Sequence, residues 1–168
     1  MSNIIVLGAG MVGSAMAIDL SKQHKVTLTD LNQNVLDKVK QKCPVLSIEQ
    51  LDVTNKVNLG KAIIKHDLVI CAVPGFLGFK TLKTIIENER NVIDISFFPE
   101  NSLDLDALAK EKNVTAIVDC GVAPGMDNII LGYYNEKMEL TDFECLVGGL
   151  PKIKKWPFCY KAPFSPID

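Results

Sequence analysis

The sequence predicts an α/β domain built on a doubly wound parallel sheet. Three observations predict it. Short apolar runs of strand length recur along the 168 residues. Segments with helical spacing separate them. A glycine-rich turn joins the first run to the first helical segment. Alternation of this kind closes into a sheet with helices on both faces. Its strands read as continuous Val, Ile and Leu because neither face meets water.

The elements follow in chain order. Residues 3–7 predict a buried strand ending at Gly8-Ala9-Gly10-Met11-Val12-Gly13. Residues 12–22 predict a helix whose Ala15 and Ala17 suit close packing on the sheet. A second strand covers 26–29 and is followed by Asp30, after which Leu31, Val35 and Val39 share a helical face. A weaker strand lies near 45–48. Val57, Ile63 and Ile64 mark a third helix, which Gly60 weakens. Strands at 68–73, 92–95 and 114–118 follow. Helices through Phe79, Leu82, Ile85 and Ile86, and through Leu105, Leu108 and Ala109, separate them. Residues 126–136 repeat the helical spacing, and 143–147 read as one more strand. The tail holds Pro151, Pro157, Pro163 and Pro166 among Trp156, Phe158, Tyr160 and Phe164. That is too much apolar surface for a solvated segment, so these aromatics are expected to pack on something that this chain does not contain.

The glycine turn carries the first chemical inference. Gly8 permits a tight exit from the strand, Gly10 lets backbone approach a pyrophosphate, and Gly13 lets the helix lie close to the strand. Met11 and Val12 open a helix whose unpaired N–H groups and positive dipole end would face phosphate. Asp30 stands about twenty residues on, where a carboxylate accepts the ribose hydroxyls of a dinucleotide. The pattern implies a dinucleotide site.

In such sheets ligands bind beyond the carboxyl ends of the strands. Asp52 and Val53 follow the third strand, where a carboxylate can accept the adenine amino group and a valine can cover the ring. Ala72, Val73 and Pro74 follow the fourth, small enough to let a nicotinamide ribose lie against backbone. Ser96 and Phe97 follow the fifth. Asp119 and Cys120 follow the sixth and are the candidates for handling protons or holding a substrate amine. Asp30 and the uncharged Leu31-Asn32-Gln33-Asn34 favour NAD over NADP, because a 2′-phosphate would meet a carboxylate with no cation beside it. The single arginine, Arg90, precedes the fifth strand at the opposite end, so no bidentate clamp for a substrate carboxylate stands at the ligand edge. His24 and His66 precede strands and sit at that same wrong end.

Composition narrows the class. A net charge of −2 without a polybasic face argues against nucleic acid. No apolar stretch reaches the ~18 residues of a membrane helix. The chain enters a core strand almost at once, so no secretory leader is expected and a cytoplasmic location is. Five cysteines without CxxC spacing read as reduced thiols, with neither a disulfide frame nor a metal site.

Two segments are more specific than the glycine turn: Ile93-Asp94-Ile95-Ser96-Phe97-Phe98-Pro99 and the run Val118 to Asn128 containing Asp119-Cys120-Gly121-Val122-Ala123-Pro124-Gly125. With Val147-Gly148-Gly149-Leu150-Pro151 and Tyr160 to Ile167, they make the chain resemble the saccharopine dehydrogenase-like family, and within it the lysine 6-dehydrogenase branch. The resemblance implies a Rossmann domain over residues 1–136. It also implies an NAD(P)-dependent oxidoreductase acting on the C–N bond of a small amino-acid substrate. A second α+β domain supplies substrate and dimer contacts in that family. Residues 137–168 would be its start, cut off at Asp168, since members run to about twice this length and more. Two other functions use the same turn and acid: a non-catalytic dinucleotide-sensing module and a polyamine-forming reductase of the same superfamily. The run through Asp119 and Asn128 speaks against a compact sensing module, which has no need of it.

Overall fold

The computed structural model describes residues 1–148, 151–157 and 159. The chain divides into two units, Met1–Asp119 and Cys120–Asp168.

In the first unit, β1 (Asn3–Leu7), α1 (Met11–Leu20), β2 (Lys25–Asp30), α2 (Gln33–Lys42), β3 (Ser47–Gln50) and α3 (Lys56–Ile63) make the first half. The second half contains β4 (Leu68–Cys71), α4 (Gly75–Glu87), β5 (Val92–Asp94), a 3-10 turn (Ser102–Leu105), α5 (Asp106–Glu111) and β6 (Ala116–Ile117). The six strands are all parallel, in the order β3-β2-β1-β4-β5-β6. This is the doubly wound Rossmann sheet that the alternation predicts. The order reverses between β1 and β4, which opens the ligand crevice at that point.

Because β1 pairs on both edges, its apolar run must feed two cores. Ile4 and Val6 join Val26, Leu28, Leu36 and Val39 on the face covered by α1 and α2. Ile5 and Leu7 join Leu59, Ile63, Leu82 and Ile85 on the face covered by α3 and α4. The period-2 alternation of a strand explains the split. Each such fully buried side chain stabilises the fold by about 1.5–3 kcal/mol.

Two helix faces differ from the sequence expectation, and in both the cap is the reason. Asn32 caps α2, its Oδ1 accepting the Asn34 N–H at 3.0 Å. Leu31 therefore lies ahead of the helix and is exposed, and Leu36 with Val39 forms the buried face. Asn55 caps α3 through the Asn58 N–H at 3.1 Å. That start turns Leu59, Ala62 and Ile63 inward and leaves Val57 and Ile64 exposed. Gly60 belongs in this helix, since a Cβ there would come within 2.7 Å of Asn88 Oδ1 at the end of α4. The strand near 45–48 forms two residues later as Ser47–Gln50, and the one at 114–118 is shorter, Ala116–Ile117.

In the second unit, α6 (Met126–Asn135) forms as its periodicity predicts, with none of its residues buried. The strand expected at 143–147 does not form; those residues are irregular and exposed. A strand needs a neighbour to take its N–H and C=O groups, and no described residue of this unit supplies a ladder. Trp156 is exposed. Phe158, Tyr160, Phe164 and the Tyr160–Ile167 motif, with Gly149 and Leu150, lie outside the described residues. Among the described residues, no helix is long and apolar enough to cross a membrane.

Candidate cofactor site

The turn after β1 separates the three glycines by role. Gly8 sits at φ +100°, and a Cβ there would stand 2.4 Å from the Ala72 carbonyl oxygen. Its N–H donates to the Thr29 carbonyl at 2.9 Å, while Ala72 N–H donates to the Leu7 carbonyl at 2.9 Å. A Cβ on Gly13 would lie 2.0 Å from the Gly8 carbonyl oxygen. The fold alone therefore demands glycine at 8 and 13. Gly10 is different. It has φ −64° and ψ −173°, which any residue adopts, and a Cβ there would meet no atom within 4 Å. Gly10 is the N-cap of α1, and no side chain caps that helix. Met11, 84% exposed, and Val12 follow on the open surface.

Asp30 stands against this turn. Its Oδ2 accepts the Ala9 N–H at 2.8 Å, and its Oδ1 accepts the Asn32 N–H at 2.9 Å. The carboxylate ties the glycine turn to the start of α2. Each oxygen retains a lone pair for a ribose hydroxyl. Behind it Thr29 is buried, its hydroxyl donating to the Val6 carbonyl at 3.1 Å.

The other expected residues fall along the same edge. Asp52 is exposed and closes its own turn, Oδ1 accepting the Thr54 N–H at 2.9 Å and the Thr54 hydroxyl at 2.6 Å. The Thr54 hydroxyl, then its N–H, hold the Asp52 carboxyl below its ordinary pKa. Asn55, not Asp52, caps α3. Val53 is half-buried against the α3–α4 core. Ala72 backs onto Gly8, Val73 is buried, and Pro74 is the N-cap of α4.

After β5 the backbone alternates. Ser96 is buried, Phe97 is 63% exposed, and Phe98 packs edge-on against Phe79 with ring centres 5.7 Å apart. Ser96 turns its hydroxyl inward, so any contact it makes with a ligand runs through its backbone. The group that receives this hydroxyl is Asp94, which lies in the Ile93–Pro99 motif but is not among the expected site residues. Asp94 is fully buried, and its Oδ1 accepts the Ser96 N–H at 2.8 Å and the Ser96 hydroxyl at 2.6 Å. Its Oδ2 is buried without a hydrogen-bond partner. Cys71 faces it across the β4–β5 pair. Burial raises the Asp94 carboxyl above its ordinary pKa against the Cys71 and Ser96 hydrogen bonds, and the Asp119 charge adds to the rise. Burial, then the Asp94 charge, pushes the Cys71 thiol well up. An aspartate inside the apolar run Val92-Ile93-Asp94-Ile95 was the available signal.

Asp119 ends the first unit, exposed, with φ +55°. Cys120 opens the second unit, half-buried. The loop beyond it folds on itself. Met126 N–H donates to the Gly121 carbonyl at 2.9 Å, and a Cβ on Gly125 would stand 2.2 Å from that same oxygen. Asp127 Oδ1 accepts the N–H groups of Gly125 and Asn128, both at 2.8 Å. The start of α6 therefore already carries an anion of its own. His66 bridges the Ala62 carbonyl and the Thr27 hydroxyl, each at 3.0 Å. Among the described residues no group of His, Cys, Asp and Glu is arranged to hold a metal.

A Rossmann sheet whose glycine turn, helix start and acidic strand tip lie at one edge has the architecture of a dinucleotide-binding domain. The chain belongs to the saccharopine dehydrogenase NADP-binding domain family, whose model matches residues 4–117. It is 28% identical to a saccharopine dehydrogenase (NADP+, L-glutamate-forming) of Pyricularia oryzae, over 68% of this chain and 27% of that protein. It is 25% identical to the enzyme of the same name from Schizosaccharomyces pombe, over 98% of this chain and 39% of the other. The chain thus spans well under half the length of these relatives. The apo saccharopine dehydrogenase (L-Glu forming) of Saccharomyces cerevisiae shares the fold, with a TM-score of 0.71 and 22% identity over 82% of this chain and 31% of that one.

Proposed function

We propose that this chain is the NAD-binding part of an oxidoreductase acting on the C–N bond of an amino acid, of the lysine 6-dehydrogenase kind. Gly10 carries the proposal. Neither its backbone angles nor its packing calls for glycine, whereas a pyrophosphate lying on the uncapped start of α1 does. Met11, Val12 and Gly13 supply the N–H groups of that first turn. Gly8 and Gly13 set the turn's shape. Asp30 takes the ribose hydroxyls. Asp52 and Val53 receive the adenine, and Ala72, Val73 and Pro74 the nicotinamide ribose. Ser96 and Phe97 border the nicotinamide. Residues 1–136 form this cofactor domain, and 137–168 begin a substrate and dimerisation domain.

NAD is the cofactor proposed, although the family model and the relatives' names carry NADP. The Asp30 carboxylate and the uncharged Leu31 to Asn34 support it, since a 2′-phosphate there gains repulsion and no counter-charge. The bound cofactor would supply the hydride acceptor. The chain's own task is to orient the amine-bearing carbon and to take a proton from the nitrogen. Asp119 and Cys120 are proposed for that task, Asp119 as the carboxylate that meets a cationic amine.

Calorimetric titration of the 168-residue chain with NAD and with NADP tests the cofactor assignment. Binding of NAD in preference to NADP is expected. Tighter NADP binding would remove the argument from Asp30, and binding of neither would remove the site.

A further inference from the structure

Asp94 is a buried acid with no part in the proposed cofactor contacts. It lies at the carboxyl end of β5, between Cys71 on β4 and Ser96 on the loop that follows. Its Oδ1 takes both donors of Ser96, so the first turn of chain beyond the strand is held by one carboxylate. The opposite side of Ser96 is held by α4. A Cβ on Gly78 would stand 2.3 Å from Ser96 Oγ and 2.7 Å from the Phe98 ring. Gly78 is thus a notch in α4 into which Ser96 and Phe98 fit. With the residues on either side locked inward, strand alternation leaves Phe97 pointing out, at the edge where the nicotinamide end of the cofactor is placed.

We infer that Asp94 is a positioning residue for the nicotinamide half of the site: with Gly78 it brackets Ser96 and thereby fixes where Phe97 stands. This rests on the cofactor reading above. Three observations support it. An acid at an inward position of a central strand has no packing purpose, because burying it is costly. Its two short hydrogen bonds, from the Ser96 N–H and hydroxyl, go to the loop, beside the Cys71 thiol of β4. Its second oxygen, Oδ2, has no partner, a cost the fold tolerates for the sake of the first. The polar and charged groups around it are Cys71 on β4, Ser96 on its own loop and Asp119 beyond β6. None of them is a cation that would make the acid a plain ion pair.

Calorimetry with two ligands separates positioning from general stability. NADH spans both halves of the site; ADP-ribose lacks the nicotinamide. Asp94→Val and Gly78→Ala, made in the 168-residue chain, should each weaken NADH by about fivefold to tenfold while ADP-ribose stays within about twofold. Asp94→Asn keeps an acceptor at Oδ1 for both Ser96 donors, and it should retain NADH affinity. Should Asp94→Val fail to fold, Gly78→Ala leaves the acid in place and decides the matter with Asp94→Asn. Equal losses for NADH and ADP-ribose, or unchanged NADH binding in Gly78→Ala, would overturn the inference while leaving the cofactor site standing. A wild-type chain that binds neither ligand would overturn the cofactor reading and the inference with it.

Discussion

Replacing Gly10 and Gly13 separately by alanine should divide stability from binding. In a helix interior, glycine to alanine ordinarily gains about 1 kcal/mol. At Gly13 the new Cβ would meet the Gly8 carbonyl oxygen at 2.0 Å and the Ala72 Cβ at 3.2 Å. The nearer atom is backbone, in a turn already pinned by the Gly8–Thr29 hydrogen bond, so it cannot rotate aside. Overpacking of this kind costs about 1–3 kcal/mol, and a contact this short belongs at the upper end. The net loss is about 2 kcal/mol, which lowers the melting temperature by roughly 4–8 °C for a chain of this size. At Gly10 no atom lies within 4 Å and the backbone is extended. The reduced freedom of the unfolded chain stabilises by about 0.4–1 kcal/mol, and alanine is a poorer N-cap than glycine by a similar amount. Gly10→Ala should therefore melt like the wild type. Its methyl group, however, occupies the space assigned to the pyrophosphate, so NAD affinity should fall about tenfold or more. Thermal melts read the first quantity and calorimetric titration the second. A Gly10→Ala chain that binds NAD as tightly as wild type, or loses as much stability as Gly13→Ala, would refute the reasoning.

The remaining predictions concern two carboxylates. Asp94 has a folded pKa above its unfolded one, so as pH rises the unfolded chain sheds this proton first and stability falls across that window, levelling off above the folded pKa. Asp94→Asn lacks this loss; its stability relative to wild type should improve as pH rises from about 4, by urea denaturation at a series of pH values. A variant whose stability relative to wild type falls as pH rises would contradict the burial argument. In an enzyme that includes the substrate domain, Asp119→Asn should lower amine-dependent NAD reduction by about tenfold or more while NAD affinity holds. Unchanged turnover would strike Asp119 from the proton-handling residues.

Much of the fold was legible because it repeats one local code. The run Ile4 to Leu7 is apolar on both faces, which only a central strand of a covered sheet needs. The helix faces of α2 and α3 were less legible, because two asparagine caps set their registers. A cap acts through one side-chain hydrogen bond, a weaker sequence signal than periodicity. Residues 143–147 are mostly apolar, like a strand, but have no neighbour to pair with among the described residues of their unit. Pattern predicts which face would be buried, not whether a partner exists.

By itself, the sequence determined the parallel sheet, the glycine turn and the acid at the second strand's tip. Each is encoded in contiguous residues whose conformations are set locally by sterics and hydrophobic alternation. The tertiary structure alone decided what each glycine is for. Whether a Cβ fits depends on atoms far along the chain: Ala72 for Gly8, Ser96 for Gly78, and empty space for Gly10. It likewise decided that Asp30 braces the turn and that Asp94 holds the Ser96 loop from inside. Hydrogen bonds and close contacts between distant segments exist only once the chain has folded, and for that reason the motif named a ligand edge and the fold distributed the roles along it.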